Sequence, residues 1–339
     1  MIHPSLNLFE LEANLPEAGP ILQRLANDDA AVRRIALLDL ADLEDEHVLE
    51  PIVAALAADP APAVRAEAAR VLGAWEQDAI VEALCVALAD ADADVREAAA
   101  SSLASLKSSD SAPVLVRHLD CEDPFIRQAV LRALRELRYE GALDPALRAL
   151  DAAEAGVRLE AVGVLGWLKE MRALQPLTRI ATQDPDAAVR RAAVGALGPA
   201  GQGPADIPAD VQTAILDALL RALRDDDAWQ VREEAANTLG RQRASASLDA
   251  LLHALDDPYW QVRLQAARAL GKLADRRAGP ALAGLLTHAI SNLRKEAALA
   301  LGELRDPSTS SALREAAQDP DPEVRKAVRI ALAQIGDAL

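Results

Sequence analysis

Asp257-Pro258-Tyr259-Trp260-Gln261-Val262-Arg263-Leu264-Gln265-Ala266-Ala267-Arg268-Ala269-Leu270-Gly271 decides the fold, because the chain repeats this stretch, with losses, ten times. Aligned on the Val-Arg step, the anchors are Val32, Val64, Val95, Ile126, Val157, Val189, Val231, Val262, Leu293 and Val324. Each is followed by an arginine, from Arg33 to Arg325. Successive anchors lie 32, 31, 31, 31, 32, 42, 31, 31 and 31 residues apart. A sustained period in this range is the signature of a stack of supersecondary units, each too small to bury its apolar face alone.

Each copy reads as two helices. In the third, Ile80, Val81, Leu84, Val86, Ala87 and Leu88 mark a first helix within 77–89, and Asp90-Ala91-Asp92 makes the turn. A second helix follows over about 93–106, where Val95, Ala98, Ala99 and Leu103 fall on one stripe at offsets 0, 3, 4 and 8. Leucine stands at offset 8 in all ten copies, and glycine at offset 9 in six: Gly73, Gly166, Gly198, Gly240, Gly271 and Gly302. Glycine there costs about 1 kcal/mol of helix propensity, so it implies a neighbouring helix that approaches closely.

Aspartate precedes the anchor by five at Asp59, Asp90, Asp184, Asp226, Asp257 and Asp319, with proline after it at Pro60, Pro185, Pro258 and Pro320. The proline ends the first helix, and the aspartate is expected to cap the second. The anchor arginine is then placed to meet the aspartate of its own or the adjacent repeat, building a ladder of charge-assisted hydrogen bonds. The fourth turn, with Cys121, and the ninth, with His288, depart from the pattern.

This Asp…Val-Arg…Leu-Gly pattern resembles the HEAT-repeat superfamily, in particular the short bacterial repeats of phycobilin lyase-type HEAT-like proteins, over about residues 21–336. The resemblance implies an all-α, right-handed α-solenoid (superhelix) of about ten two-helix HEAT-like repeats, with the second helices lining its concave side. It also implies two kinds of activity. One is a protein-interaction scaffold. The other is a bilin lyase, or a chaperone-like handler of a bilin or related tetrapyrrole on an acceptor protein.

The organisation expected is an N-terminal capping segment at 1–20, carrying Leu6, Leu8, Phe9, Leu11 and Leu15, then repeats 1–6 over 21–197. A Gly/Pro-rich insertion at 198–209 follows, with repeats 7–10 and a C-terminal cap over 210–339. The insertion absorbs the long 42-residue step; its three glycines and three prolines within 198–208 cannot continue a helix. It reads equally as an inert loop and as a hinge or lid.

Composition narrows the function. The 339 residues are 51% hydrophobic but only 2% aromatic, so leucine and alanine must fill the core. Net charge is −17, which opposes sequence-independent nucleic-acid binding. Residues 1–123 carry 24 acidic and 8 basic side chains, against 29 and 28 in the remainder. That excess serves solubility or steers a basic protein partner. Cys85 and Cys121 form no metal or redox spacing, no apolar run is long enough to span a membrane, and Met1-Ile2-His3-Pro4 lacks the features of a secretory signal. A cytoplasmic protein, monomeric or in a heterodimer, is expected.

Two groups of residues are candidates for partner binding. Trp229 and Trp260 share an offset in adjacent repeats, so they are expected side by side with Tyr259 alongside, either as packing or as an interface anchor. The second group is the exposed row of the second helices: Arg70, Glu97, Arg132, Glu160, Arg191, Glu233, Arg268 and Lys295, with Arg34, Glu67, Glu234, Glu296 and Lys326. Mixed signs suit a protein partner better than a nucleic acid, although such charges can equally be solvated surface. The acidic stretch Asp42-Leu43-Glu44-Asp45-Glu46-His47 reads as a connecting turn. No nucleophile–base grouping, phosphate loop or His-Glu metal pair occurs, so no catalytic residue, metal or cofactor is assigned, and the leading expectation is a non-catalytic adaptor.

Overall fold

A computed structural model describes Leu15, residues 17–198 and residues 207–336. Among the described residues every regular element is a helix. The chain forms two compact units, one up to Leu168 and the other from Lys169. Each is a stack of five two-helix repeats.

In the first unit the helix pairs are Ala18–Leu25 with Ala30–Ala41, Leu49–Ala58 with Pro62–Leu72, and Asp78–Ala87 with Ala93–Ala104. Ala112–Arg117 with Pro124–Glu136, and Leu143–Ala149 with Ala155–Leu168, complete it. In the second they are Met171–Gln183 with Ala187–Ala196, Ala209–Asp225 with Trp229–Gln242, and Leu248–His253 with Trp260–Leu273. Gly279–Leu285 with Ser291–Leu304, and Ser310–Glu315 with Pro322–Ile335, follow. Many first helices are short and are entered or left through a 3-10 turn, such as Glu46–Val48 and Ala254–Asp256. Most of the expected capping segment, including Leu6, Leu8, Phe9 and Leu11, lies outside the described residues, as does 199–206 of the insertion.

The periodic leucines form the spine of each unit. All ten at offset 8, from Leu40 to Leu332, are at most 1% exposed. Burying a leucine side chain contributes roughly 1.5–3 kcal/mol, so this column alone outweighs any surface contact. The anchors are buried too, except Val32 in the first repeat, which is half-buried.

The glycine column does what its cost implied. A Cβ placed on Gly271 would fall 2.8 Å from Ala300 Cα, and one on Gly302 would fall 2.8 Å from Ala331 Cα. Glycine at offset 9 therefore admits the backbone of the next second helix at offset 7. Seven second helices lead into a left-handed residue at offset 12: Glu44, Arg138, Lys169, Arg243, Ala274, Arg305 and Gly336. Only the last is a glycine, so six residues hold a conformation that costs a side-chain-bearing residue about 1 kcal/mol.

One local expectation is corrected. The aspartate five before the anchor does not cap the second helix. It accepts the backbone N–H two residues on, as Asp59 does from Ala61 and Asp90 from Asp92. The cap belongs to offset −3, where Asp29, Asp92, Asp123, Asp186 and Asp321 accept from the first helical N–H groups. At Asp90/Asp92, Asp184/Asp186 and Asp319/Asp321 the chain makes two consecutive Asx turns, and only the second begins the helix.

Candidate functional site

The anchor arginine reaches forward into the next repeat. Arg65 donates from Nε and Nη2 to Asp90, both at 2.8 Å, while Nη1 donates to the Asp59 carbonyl of its own turn at 2.8 Å. The same bidentate grip joins Arg33 to Asp59, Arg190 to Asp226, Arg232 to Asp257 and Arg294 to Asp319. Each aspartate thus orders its own turn and receives the preceding repeat. These hydrogen bonds hold the Asp90 and Asp319 carboxyls below the usual carboxylate range and raise their arginines. The outer ladder is interrupted where the position holds Cys121, Ala152 or His288.

A second ladder runs along the second helices, and it corrects the expectation of a uniformly exposed row. Glu160 and Glu296 are only 5% and 6% exposed. Glu160 accepts from Arg132 Nε at 3.1 Å and Arg135 Nη1 at 2.6 Å. Glu296 accepts from Arg268 Nε and Nη2, each at 2.9 Å. Arg34 and Arg70 converge on Glu67 at 2.8 and 3.6 Å. The glutamates are buried because the arginine of the preceding repeat lies over them, and the guanidiniums themselves stay half in solvent. At the joints after repeats 4 and 8, where Ala152 and His288 break the outer ladder, this inner pair bridges the same two repeats. Arg70, Glu97 and Arg191 are exposed, whereas Glu233 and Lys295 are half-buried.

The aromatic group is rearranged relative to expectation. Trp229 stacks on Tyr259, ring centroids 5.6 Å apart and planes 16° apart, rather than pairing with Trp260. The physical reason is the register of the turn. Tyr259 occupies the extended N-cap position of the second helix of repeat 8, which carries its ring back toward repeat 7. The Arg232 guanidinium, fixed by Asp257, lies 5.6 Å from the same ring. Trp229 is half-buried by this contact, whereas Tyr259 and Trp260 remain 45% and 37% exposed. Comparable cation–π contacts join Arg96 to Phe125 and Arg138 to Trp167, at 5.7 and 5.5 Å.

Two groups of a catalytic type, Cys85 and His47, are respectively buried and engaged. Burial pushes the Cys85 thiol up to about 12, with Glu82 adding to the shift, so it is protonated and inert at neutral pH. His47 is tied to Asp45 within its turn at 2.7 Å. Among the described residues no three His, Cys, Asp or Glu side chains converge as a metal site would need, and no helix is long and apolar enough to cross a membrane. A cleft of about 290 Å³ in the second unit is lined by residues including Thr182, Arg190, Arg221, Asp225 and Asp226, none of its lining aromatic.

Comparison with known proteins agrees with this geometry. The sequence profile described as HEAT repeats matches residues 49–135, 81–162, 119–198, 216–298 and 285–339, and that described as HEAT-like repeat matches 187–241. No curated protein matches the sequence. Among solved structures, the chain is similar to an engineered protein, with 22% identity, a TM-score of 0.52, and 95% of this chain and all of that one covered. Kap95p, in a complex with RanGDP, gives 16% identity and a TM-score of 0.61 over 99% of this chain and 54% of its own. YibA of Escherichia coli gives 19% and 0.59 over 79% and 95%. The chain therefore spans about half the length of the karyopherin it resembles, and identities this low establish the fold alone. With profile matches over most of its length and the Arg–Asp and Gly–Ala contacts that stack its repeats, the chain belongs to the HEAT repeat family.

Proposed function

We propose that this protein is a non-catalytic scaffold that holds a protein partner along the face of its second helices. The observation that carries the reading is the inner ladder. Arg132 and Arg268 present half-exposed guanidiniums already locked by the buried carboxylates of Glu160 and Glu296. Arginine is enriched at the energetic centres of interfaces, and one that is already ordered loses little side-chain entropy on binding. The fold supports the same reading, since Kap121p, another structural neighbour, was solved bound to the extreme C-terminus of the phosphatase Cdc14p. The acidic excess of residues 1–123 favours a partner whose contact with that end is basic.

The test is capture of partners by the full chain, with identification by mass spectrometry, repeated with an Arg132→Ala/Arg268→Ala variant. The scaffold reading expects a discrete partner that the variant loses while retaining its helical content. Capture unchanged by the variant removes the inner face from the interface. The bilin-handling alternative is tested separately by titrating the chain with biliverdin: a saturable absorbance shift supports it, and an unaltered spectrum rejects it.

A further inference from the structure

Each of the ten turns between a first and a second helix carries at least one carboxylate, except the ninth. Leu286-Thr287-His288-Ala289-Ile290 has none, in a chain whose net charge is −17. This is also the turn that should receive Arg263.

His288 copies half of the aspartate's work. Its Nδ1 accepts the Ile290 N–H at 3.0 Å, as the aspartates accept the N–H two residues on. The neutral ring then carries its proton on Nε2, which faces Arg263 Nη1 at 3.4 Å, donor against donor. Arg263 Nε is buried with no hydrogen-bond partner. In the intact rungs that nitrogen grips a carboxylate oxygen at 2.6–2.8 Å. The half-buried Arg263 is thus a cation whose complement the rest of the ladder defines: a carboxylate. Nothing among the described residues supplies one. Three residues before Arg263 on the same helix stands Trp260, 37% exposed.

We propose that the turn edge of repeats 8 and 9 binds an acidic segment of a protein partner, whose carboxylate meets the solvent-reaching part of the half-buried Arg263 guanidinium while an apolar side chain packs on Trp260. Charge complementarity selects this occupant. A basic segment would meet Arg263 with no anion to receive it. The proposal rests on the scaffold reading but concerns a different face, so the two can fail separately.

The experiment uses the full chain and a fluorescein-labelled Glu-Glu-Leu-Glu-Glu peptide, followed by anisotropy at low and at physiological salt. The wild type binds this peptide more tightly than its Lys-Lys-Leu-Lys-Lys counterpart, and binding weakens with salt. His288→Asp supplies the missing carboxylate from within. It is expected to raise the melting temperature and weaken the acidic peptide at least tenfold, which separates loss of the site from loss of the fold. Trp260→Ala weakens the peptide while lowering the melting temperature less than Trp229→Ala does. Arg268→Ala, which belongs to the inner face, leaves the peptide unaffected. Equal affinity of wild type and His288→Asp, a preference for the basic peptide, or no binding by the wild type would each overturn the proposal.

Discussion

The guanidinium of Arg65 grips the carboxylate of Asp90 in the next repeat with two 2.8 Å hydrogen bonds, while its third nitrogen holds the Asp59 carbonyl behind it. One side chain therefore fixes the distance between two turns that are separate in sequence. Because Asp90 also ties down its own turn through the Asp92 N–H, intra-repeat and inter-repeat order are coupled through a single carboxylate.

That coupling gives stability an acid limit. The hydrogen bond from Arg65 holds Asp90 below the usual carboxylate range, and Arg294 does the same for Asp319. A carboxyl whose folded value is depressed adds stability that is present above its unfolded value, about 3.9, and is lost as pH falls through the lower folded value. The melting temperature should be nearly level from pH 7 to about 5 and fall steeply below about 4. Asp90→Asn should lower the plateau and reduce the size of that fall. An equally steep fall in Asp90→Asn would assign the acid sensitivity elsewhere.

Two glycines should respond with opposite signs. Gly271→Ala sets a Cβ 2.8 Å from the Ala300 backbone, which cannot yield as a side-chain tip can, and should destabilise by about 1–3 kcal/mol despite the better helix former. Gly284, in the exposed part of helix Gly279–Leu285, has nothing within 4 Å of that position. Gly284→Ala should stabilise by about 0.5–1 kcal/mol. Urea unfolding of the pair reads both signs.

Ala274 closes its helix at φ 55°, a conformation glycine adopts without strain. Ala274→Gly should therefore be neutral to stabilising, by up to about 0.5 kcal/mol, because relief of strain exceeds the added freedom of the unfolded chain. A loss above 1 kcal/mol in chemical denaturation would show that the alanine methyl makes a contact that outweighs the strain.

Trp229 and Trp260, equivalent by offset, should separate by experiment. Removing the stacked, half-buried Trp229 by Trp229→Ala should cost about 2–4 kcal/mol in unfolding free energy. Trp260→Ala, at an exposed ring, should cost less than about 1 kcal/mol. Equal losses would make both rings structural.

The sequence carried most of the fold, because its signals are local and repeated. The Leu270 column, the Gly271 notch and the Pro258 break each have one physical cause, copied along the chain. The direction of the ladder was less legible: Arg232 could meet an aspartate of its own or of the adjacent repeat, and in the fold it does neither alone, taking the Asp226 carbonyl at home and the Asp257 carboxylate next door. Glu160 and Glu296 read as surface because single-helix offsets ignore what a neighbour lays over them. The signal was present as Arg132 and Arg268, each 28 residues earlier. Trp229 was paired with the wrong ring because an N-cap residue leaves the helical direction that offset arithmetic assumes.

The most direct test is a double-mutant cycle on Arg232 and Asp257, both nearly buried and joined at 2.7 and 3.1 Å. Unfolding free energies of the wild type, Arg232→Ala, Asp257→Ala and the double variant isolate the coupling between repeats 7 and 8. If arginine clamps bind each repeat to the next, that coupling should be about 1.5–3 kcal/mol. A value below about 0.3 kcal/mol would contradict the account, leaving apolar packing alone to join the repeats.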